Sequence, residues 1–304
     1  MPLHLSGLTL YPIKSCAGMS ATSWPICPTG LLFDREWAIV DQTGRALRMK
    51  VAPRMCMIHP RVHLDTQELV VSGPGMEDLH IPLSHVPPPS LSCAVNVCGQ
   101  PCSGLVYDQS ISEWFSTFLG IPCTLVRSSP YAEQRNASGG QQPSSSTTTC
   151  PKIAFSNEAQ LLLVCSASVD HLNGLIQQQS DLDYEFRYEG QRSDAPLVSV
   201  ENFRPNLVIA GGVAHQEDLW TEVSVGKGLR LRVTGPCSRC AMVNIDHRDG
   251  NKNAPVLKTL ASYRRDKAQI YFGQFLAIEE AGSDGWVHVG SSVVVKTNSL
   301  ETLL

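Results

Sequence analysis

Short apolar segments separated by glycine and proline turns constrain the fold of this chain more than any other feature. Runs rich in β-branched or alternating apolar residues predict β-strands. They recur in the first part of the sequence as LTLYPIKS, REWAIVD, MCMIHPRVHL and QELVVSG. Because strands and helices do not alternate regularly, we expect barrel-like β domains with a few helices rather than a doubly wound parallel sheet. The predicted fold class is mixed α+β and rich in β-structure.

Helical spacing of apolar residues is confined to a few segments. It occurs in DQSISEWFSTFL, which predicts a helix over 108–119. In the second half of the chain, a buried strand is expected to lead into a helix over 166–178, and APVLKTLASYR predicts another short helix. The remaining apolar runs predict strands: NLVIAGG, LRLRVTG, AMVNID, IYFGQFLAIEE and WVHVGSSVVVK.

A polar segment divides the chain. Residues 136–150, NASGGQQPSSSTTTC, are rich in Ser, Thr, Gly and Gln, and they lack the large apolar side chains that a packed core needs. We therefore expect an N-terminal β domain over residues 1–127, a flexible insertion over 128–152 and a second β-rich domain over 153–304.

Bulk composition argues against several classes of function. The formal net charge is −4 and 17% of the residues are charged, so we expect no nucleic-acid-binding surface. No run of about 18 apolar residues occurs, so we expect no transmembrane segment. The N-terminus shows neither a signal-peptide pattern nor an Arg-rich presequence, so the expected location is cytoplasmic. Eleven cysteines then favour reduced thiols with a chemical role over a disulfide framework.

The cysteines of GPCSRCAMVNID, Cys237 and Cys240, form a C-x-x-C motif. Such a motif can be half of a zinc site, a dithiol redox pair or a coincidence. Zinc needs four ligands, and the cysteine spacing of SCAVNVCGQPC suits it poorly. A thioredoxin-like pair would stand at a helix N-terminus, whereas a strand-like run follows here. The third interpretation is one thiolate, favoured by Arg239, that binds the metal of a sulfur-containing cofactor.

Four segments occur in an order that resembles the MOSC-domain family: YPIKSCAG, GLLFDREWAIVD, ENFRPNLVIAGG and CSRCAMVNID. With a late FGQF, the chain resembles most closely the branch of mitochondrial amidoxime-reducing components. The resemblance runs from Leu10 to about Val294. It implies an N-terminal MOSC β domain packed against a MOSC β-barrel domain. It also implies a single molybdenum cofactor, a pyranopterin dithiolene (molybdopterin), with Cys240 as a further metal ligand.

Polar residues in the matching segments are expected to bind this cofactor. Its phosphate needs cationic or N–H donors, and the resemblance implies that Lys14, Ser15 and Arg35 supply them. The planar guanidinium of Arg204 suits pterin or phosphate oxygens. Each position also has a structural alternative, such as an ion pair for Arg204 or a core position for Phe275. The remaining cofactor-binding candidates in these segments are Asn206, Ser238, Arg239 and Phe275.

Residues 156–168, SNEAQLLLVCSAS, align with a loop that contacts the pterin in the family. The family shows an Asp-Thr-Ser-like stretch where this chain has Asn157, Glu158 and Ala159. We therefore expect pterin contacts from the backbone of Glu158 and Ala159, while Asn157 replaces the acid near the metal. The candidate catalytic residues are Asn157 and Cys240. Further positive charge at the entrance is expected from Arg48, Lys50 and Arg54.

The resemblance implies a molybdenum-cofactor-dependent reductase of N-hydroxylated compounds: amidoximes, hydroxylamines, N-hydroxylated bases and, as a further substrate, nitrite. The sequence has no flavin or haem motif, so electrons are expected from a partner. The resemblance implies that this partner is cytochrome b5, reduced by its NADH-dependent reductase, and the enzyme is expected to be monomeric. Two alternatives are a non-catalytic cofactor carrier and a zinc-stabilised β module. MOSC domains also occur in molybdenum-cofactor sulfurases, but 304 residues leave no room for the pyridoxal-phosphate desulfurase domain of those proteins.

Overall fold

The computed structural model describes residues 1–129, 135–137, 151–186, 198–252 and 255–297, and the side chains of 180–186 are not described. Strands predominate over helices in these residues. The predicted fold class, mixed α+β and rich in β-structure, is confirmed. Most of the predicted insertion lies outside the described residues. No helix in the described part of the chain is long and apolar enough to cross a membrane.

The helices are α1 (Gln109–Leu119), α2 (Ser166–Phe186) and α3 (Val256–Tyr263), with short 3-10 helices at Pro53–Met57, Pro89–Leu91, Val200–Phe203, Gln216–Leu219 and Ala241–Asn244. The first strands are β1 (His4–Leu10), β2 (Met19–Ser20), β3 (Ser23–Cys27), β4 (Gly30–Leu31), β5 (Trp37–Asp41), β6 (His59–His63), β7 (Glu68–Ser72), β8 (Leu79–Pro82), β9 (Ser92–Val97), β10 (Gln100–Val106), β11 (Cys123–Ser128) and β12 (Arg135–Asn136). The later strands are β13 (Lys152–Ile153), β14 (Leu161–Cys165), β15 (Leu207–Ala210), β16 (Trp220–Val225), β17 (Leu229–Ser238), β18 (Arg265–Asp266), β19 (Gln269–Ala281), β20 (Trp286–His288) and β21 (Val293–Thr297).

The largest sheet joins segments from both ends of the chain. Its strand order is β2-β1-β15-β14-β19-β17-β16-β21, and the short β18 pairs with β19. β1 runs antiparallel to β15, whereas β14 runs parallel to it. The smaller sheets have the orders β5-β11-β10-β9, β6-β7-β8, β20-β3-β4 and β12-β13. The N-terminal strand therefore lies beside strands that follow residue 160, and this brings the turn after β1 close to the second half of the chain.

One apolar core cluster contains residues from both halves of the chain. Its fully buried members include Leu5, Trp37, Phe115, Leu163 and Leu231. Removing each such side chain from water stabilises the fold by roughly 1.5–3 kcal/mol. The cluster therefore holds the N-terminal strands against the large sheet. The predicted boundaries at residues 127 and 153 stay a prediction.

The first helix shows how local sequence defines an element. α1 begins after Asp108, whose Oδ1 accepts a hydrogen bond from the Ile111 backbone N at 3.1 Å. The helix ends at Gly120, which has φ 70°, in the left-handed region that glycine adopts without a Cβ clash. The buried residues Ile111, Phe115 and Phe118 form one face. The helix predicted over 108–119 is thus confirmed.

Two strand predictions were wrong in part. Pro53 starts a 3-10 helix that replaces the first part of the predicted MCMIHPRVHL strand, so only His59–His63 is extended. The AMVNID segment forms a 3-10 helix over Ala241–Asn244 instead of a strand. The side chain of Asn202 donates to the carbonyls of Val243 and Ile245, both at 3.1 Å, so these carbonyls have partners outside a β-ladder.

Candidate functional site

A cavity of about 280 Å³ lies beside the turn after β1, the loop before β14 and the end of β17. Its walls come from segments that are far apart in the sequence, so tertiary folding assembles it. We call it the cationic cavity. Every candidate site residue lines it: Lys14, Ser15, Arg35, Asn157, Glu158, Ala159, Arg204, Asn206, Ser238, Arg239, Cys240 and Phe275. The structure thus brings these residues together, while their individual roles stay predictions.

Positive charge dominates the lining. Among the lining residues, Glu158 is the one acid, and burial raises the pKa of its carboxyl. An excess of cations in a partly enclosed space concentrates field lines and favours an anionic ligand. Of the three basic residues expected at the entrance, Arg48 and Lys50 line the cavity, whereas the Arg54 guanidinium lies 4.8 Å from the ring centroid of Phe118. The cations of the lining are Lys14, Arg35, Arg48, Lys50, Arg204 and Arg239.

Several lining residues adopt the left-handed backbone region, which is rare for residues other than glycine. The φ angles are 66° at Ser15, 50° at Arg35, 53° at Cys98 and 56° at Arg204. Each such conformation costs on the order of 1–3 kcal/mol and persists only where surrounding contacts hold it. Such strain clusters at functional sites. The left-handed backbone at these four residues therefore lowers local stability where it forms the cavity wall.

The Arg35 side chain is held in a polar network. Its Nη1 donates to Asp34 and to Asn206 Oδ1, the latter at 2.9 Å. The Asn206 amide in turn donates to Asp34 Oδ2 at 3.0 Å and to the Thr9 carbonyl at 3.1 Å. Asn206 Oδ1 also accepts from the backbone N of Leu162 at 3.2 Å. Asn206, fully buried, thus connects β1, β14 and the arginine.

Arg204 is buried without a carboxylate partner among the described ion pairs. Its Nη1 donates to the Cys16 carbonyl at 2.7 Å. Its guanidinium lies 4.1 Å from the ring centroid of Tyr11, and that of Arg35 lies 4.4 Å from the same centroid. Burial lowers the pKa of Arg204 to about 10. The alternative of an ion pair for Arg204 is not seen among the described residues, where a carbonyl and an aromatic face take that place.

Lys14 is buried at the base of the loop before β14. Its Nζ donates to the Phe155 carbonyl at 3.0 Å and to Asn157 Oδ1. Burial, with a smaller contribution from nearby arginines, lowers the pKa of Lys14 to about 7. Arg135 supports the same loop by donating to the carbonyls of Ser156 at 2.8 Å and Asn157 at 3.1 Å. The loop therefore presents its amide side chain at a fixed position in the cavity.

Arg239 is anchored on one side and unsatisfied on the other. Its Nε donates to the Phe272 carbonyl at 2.7 Å and its Nη1 to the Phe203 carbonyl at 2.9 Å. Its Nη2 is buried without a hydrogen-bond partner among the described residues. A buried donor left unpaired costs about 1–3 kcal/mol. A Cβ placed on Gly273 would lie 3.3 Å from Nη2, so this atom faces the backbone of β19.

The two cysteines of the C-x-x-C motif differ in exposure. Cys237 lies within β17, 6% exposed, in a small apolar cluster with Ala159, Leu162 and Phe275. Burial raises the pKa of the Cys237 thiol to about 11. Cys240 is exposed, lines the cavity and precedes the 3-10 helix Ala241–Asn244. No group of three or more His, Cys, Asp or Glu side chains in the described ranges could hold a metal ion.

Three features of the site were missed by sequence reasoning. Tyr11 belongs to the YPIKSCAG segment, yet its sequence position gave no sign of its contact with two arginines. Arg135 lies next to the polar segment and had been included in the predicted insertion. Cys98 lines the cavity from the tip of the hairpin between β9 and β10. Only long-range contacts, which a single sequence does not show, could identify these three residues.

Both halves of the chain match models of known protein families. Residues 3–122 match the MOSC N-terminal beta barrel domain, and residues 151–294 match the MOSC domain. The chain is therefore a MOSC-domain protein with both modules, as the sequence resemblance implied.

Well-characterised proteins that are similar to this chain include molybdenum cofactor sulfurases. The chain is 35% identical over 305 aligned residues to the molybdenum cofactor sulfurase of Homo sapiens, covering 98% of this chain and 33% of that protein. It is 34% identical to the molybdenum cofactor sulfurase of Solanum lycopersicum, covering 95% of this chain and 35% of that one. The chain thus spans about a third of the length of these relatives. The narrower assignment to the amidoxime-reducing branch stays a prediction.

A crystal structure of the YUAD protein from Bacillus subtilis aligns over 98% of this chain and 97% of that chain. The identity is 9% and the TM-score is 0.36, a likeness too weak to carry an argument.

The cationic cavity fits a molybdenum cofactor by its chemistry. A terminal phosphate requires the positive charge that Lys14, Arg35 and Arg204 provide. The exposed thiol of Cys240 in the same lining is the soft ligand that suits a sulfur-coordinated metal.

Proposed function

We propose that the chain binds the molybdenum cofactor in the cationic cavity. The observation that carries this proposal is the exposed Cys240 thiol in a lining with six Lys and Arg side chains and one acid. When bound, the cofactor would supply a redox-active metal centre that can exchange a terminal ligand. The protein supplies charge, orientation and a thiolate.

Each wall of the cavity has a separate task in this proposal. Lys14, Arg35 and the Ser15 hydroxyl or amide would hold the phosphate. Arg204 and Arg239 would donate to phosphate or pterin oxygens, because both carry guanidinium donors directed by carbonyl partners on their other side. The Cys240 thiolate would ligate the metal. Further contacts would come from Glu158, Ala159, Asn206, Ser238 and Phe275.

We propose that this cavity serves cofactor sulfuration. The support is the 35% identity, over nearly the whole chain, to a protein named molybdenum cofactor sulfurase. In such a role the chain would hold the cofactor while a separate desulfurase unit supplies sulfur. An open cavity with an exposed thiol suits this role, because a sulfur donor must reach the cofactor from solvent.

A second candidate function is the reduction of N-hydroxylated compounds, in which an N–O bond is cleaved with two electrons and two protons and water is released. One observation favours it. Lys14, with its pKa lowered to about 7, contacts Asn157 at the cavity, so this pair could hold a proton near a substrate. Electrons would come from cytochrome b5 and NADH-cytochrome b5 reductase. Amidoximes, hydroxylamines, N-hydroxylated bases and nitrite would be the substrates of a monomeric cytoplasmic enzyme.

A cofactor-transfer experiment tests cofactor binding, which both candidate functions require. The purified protein is mixed with molybdenum cofactor released from a molybdoenzyme, desalted, and analysed for bound molybdenum and for the fluorescent oxidised pterin. We expect equal amounts of both with the wild-type protein and a loss of both in Arg204→Gln. The matched control is Arg230→Gln, because Arg230 is an exposed residue of the largest sheet, where it pairs with Glu280. Zinc in place of molybdenum and pterin would refute cofactor binding.

Turnover separates the two candidates. The loaded protein is assayed with benzamidoxime, NADH, cytochrome b5 and its reductase, and in parallel with a cysteine desulfurase and a desulfo molybdoenzyme as sulfur acceptor. Activation of the acceptor without amidoxime reduction supports the sulfuration role. Amidoxime reduction that requires cytochrome b5 supports the reductase.

A further inference from the structure

Three cysteines line the cationic cavity: Cys98, Cys237 and Cys240. Among the cysteines that the structure describes, Cys98 and Cys240 are the exposed ones, and both belong to the cavity lining. They come from different halves of the chain, since Cys98 follows β9 and Cys240 follows β17. Cys237 is buried and Cys240 is the proposed metal ligand, so Cys98 is the exposed thiol of the lining that has no role in the proposed cofactor binding.

The backbone brings the Cys98 thiol to the cavity. Cys98 and Gly99 form the two-residue loop of the hairpin between β9 and β10, with φ angles of 53° and 90°. Two positive φ angles are typical of a type I′ turn, where Asn, Asp or Gly is favoured at the first position. A cysteine there is strained. Gly99 N donates to Asn96 Oδ1 at 2.9 Å, and this contact helps to hold the turn in place.

The surroundings of Cys98 are polar and positively charged. Its Sγ donates to Asn157 Oδ1 at 3.3 Å, and the same oxygen accepts from Lys14 Nζ. The lining contains six Lys and Arg side chains and one acid, and such a field attracts anions. The cavity therefore favours anionic sulfur species at its wall.

We propose that Cys98 accepts sulfur from a persulfide, so that sulfur reaches the cationic cavity through a thiol of this chain. The proposal rests on the proposed cofactor-binding function and names the sulfur-donor class for it. The positive charge of Lys14 and Arg239 would attract the anionic persulfide, and Cys98 would receive its outer sulfur.

The transfer step balances without an external oxidant or reductant. The Cys98 thiolate attacks the outer sulfur of a donor persulfide in its protonated form, R–S–SH. The new bond joins Cys98 Sγ to that sulfur, the donor S–S bond breaks, and the donor leaves as a thiol. One S–S bond replaces another, so no net electron transfer occurs, and the proton of the persulfide passes to the departing thiolate.

Peptide mass spectrometry after timed exposure to a persulfide tests this step. Two donors are used separately, glutathione persulfide and a cysteine desulfurase carrying its persulfide, to distinguish a small-molecule source from a protein source. We expect Cys98 to gain one sulfur atom faster than Cys240 and Cys27 with at least one donor. Lys14→Gln should slow labelling of Cys98 about tenfold, because the cavity loses a cation. Lys227→Gln, on an exposed turn, should not change it.

A rate at Cys98 no greater than that at Cys27 with both donors would overturn the proposal. So would a rate that added salt leaves unchanged, because attraction to the cavity must weaken with screening. The salt test needs no variant and therefore does not depend on whether Lys14→Gln folds. Cofactor retention by the wild-type protein is measured separately. Loss of retention with normal Cys98 labelling would reject the proposed cofactor binding, whereas normal retention without Cys98 labelling would reject only the sulfur-acceptor role.

Discussion

Arg35 Nη2 donates a hydrogen bond to the backbone carbonyl of Arg204 at 3.2 Å, and both guanidinium groups lie over the ring of Tyr11 at one wall of the cationic cavity. Asp34 pairs with Arg35, but Arg204 has a carbonyl and an aromatic ring as its neighbours instead of a carboxylate. Charge in a low-dielectric setting is costly unless it is paired. Arg204 therefore bears a desolvation cost that no described carboxylate offsets.

Phosphate or pyrophosphate should raise the melting temperature of the ligand-free protein. Binding to the folded state alone stabilises it, by about 2.7 kcal/mol at one hundred times the dissociation constant. For a chain of this size, we expect a rise of about 2–5 °C. Arg204→Gln should lose most of this rise, and Arg230→Gln should keep it. Differential scanning fluorimetry across anion concentrations measures both, and an equal rise in Arg204→Gln would contradict the assignment.

The ring of Tyr11 is expected to matter more than its hydroxyl. Tyr11 is 1% exposed, and its hydroxyl has no hydrogen-bond partner within the described residues. Tyr11→Phe keeps both cation–π contacts and removes an unpaired buried group, so stability should stay equal or rise by about 1 kcal/mol. Tyr11→Leu loses both contacts, each worth about 0.5–2 kcal/mol. Urea unfolding and anion affinity of the two variants measure the difference, and a larger loss in Tyr11→Phe would refute the role of the ring.

Much of this site was predictable because its residues lie in short motifs that recur in the family. Lys14, Arg35, Arg204 and Cys240 were all assigned from such motifs, and all line one cavity. Strands and α1 followed from the spacing of apolar residues.

Other features had no local signal. The segment after Cys240 is apolar like a strand, but Asn202, a distant residue, takes its carbonyls and a 3-10 helix forms. Tyr11 and Cys98 acquire their neighbours only when separate segments pack together. Long-range contacts override local propensity at these positions, and no spacing rule reports them.

Lys14 should make stability depend on pH. Burial lowers its pKa from 10.5 to about 7 in the folded protein. Between pH 7 and 10.5 the unfolded chain therefore binds more protons, so the free energy of unfolding rises with pH across this window. Lys14→Met should flatten that rise and increase the free energy of unfolding at pH 6 by about 1–3 kcal/mol.

The affinity for anions should fall as the pH rises, whereas the free energy of unfolding rises. The Lys14 ammonium loses its proton as the pH rises through about 7, so the affinity of the wild-type protein for phosphate should fall there. Urea unfolding and phosphate titration at pH 6, 7 and 9 measure both effects. Lys227→Met, at an exposed position, is the control. A Lys14→Met variant with the wild-type pH profile would show that this lysine does not titrate near neutrality.

Two substitutions of Ser15 should differ in stability but should weaken cofactor binding alike. Its φ of 66° is costly for any residue with a Cβ. Ser15→Gly relieves this cost and should raise the free energy of unfolding by up to about 1 kcal/mol, whereas Ser15→Ala keeps it. Both variants lose the hydroxyl, so both should bind the cofactor less tightly. Urea unfolding and pterin retention test this pair, and equal stability of the two variants would show that Ser15 is unstrained.

Serine substitutions of the two cysteines in the C-x-x-C motif should have different effects. One should lower stability, and the other should remove a ligand of the metal. Cys237 is buried among Ala159, Leu162 and Phe275, and its Sγ donates to the Ser238 carbonyl at 3.6 Å. Cys237→Ser places a more polar group in this apolar cluster and should cost about 1–3 kcal/mol of stability. Cys240 is exposed, so Cys240→Ser should change stability by less than about 0.5 kcal/mol. In the cofactor-loaded protein, X-ray absorption should show one sulfur ligand fewer on molybdenum in Cys240→Ser and no change in Cys237→Ser. An unchanged sulfur count in Cys240→Ser would mean that the metal takes no thiolate from this motif.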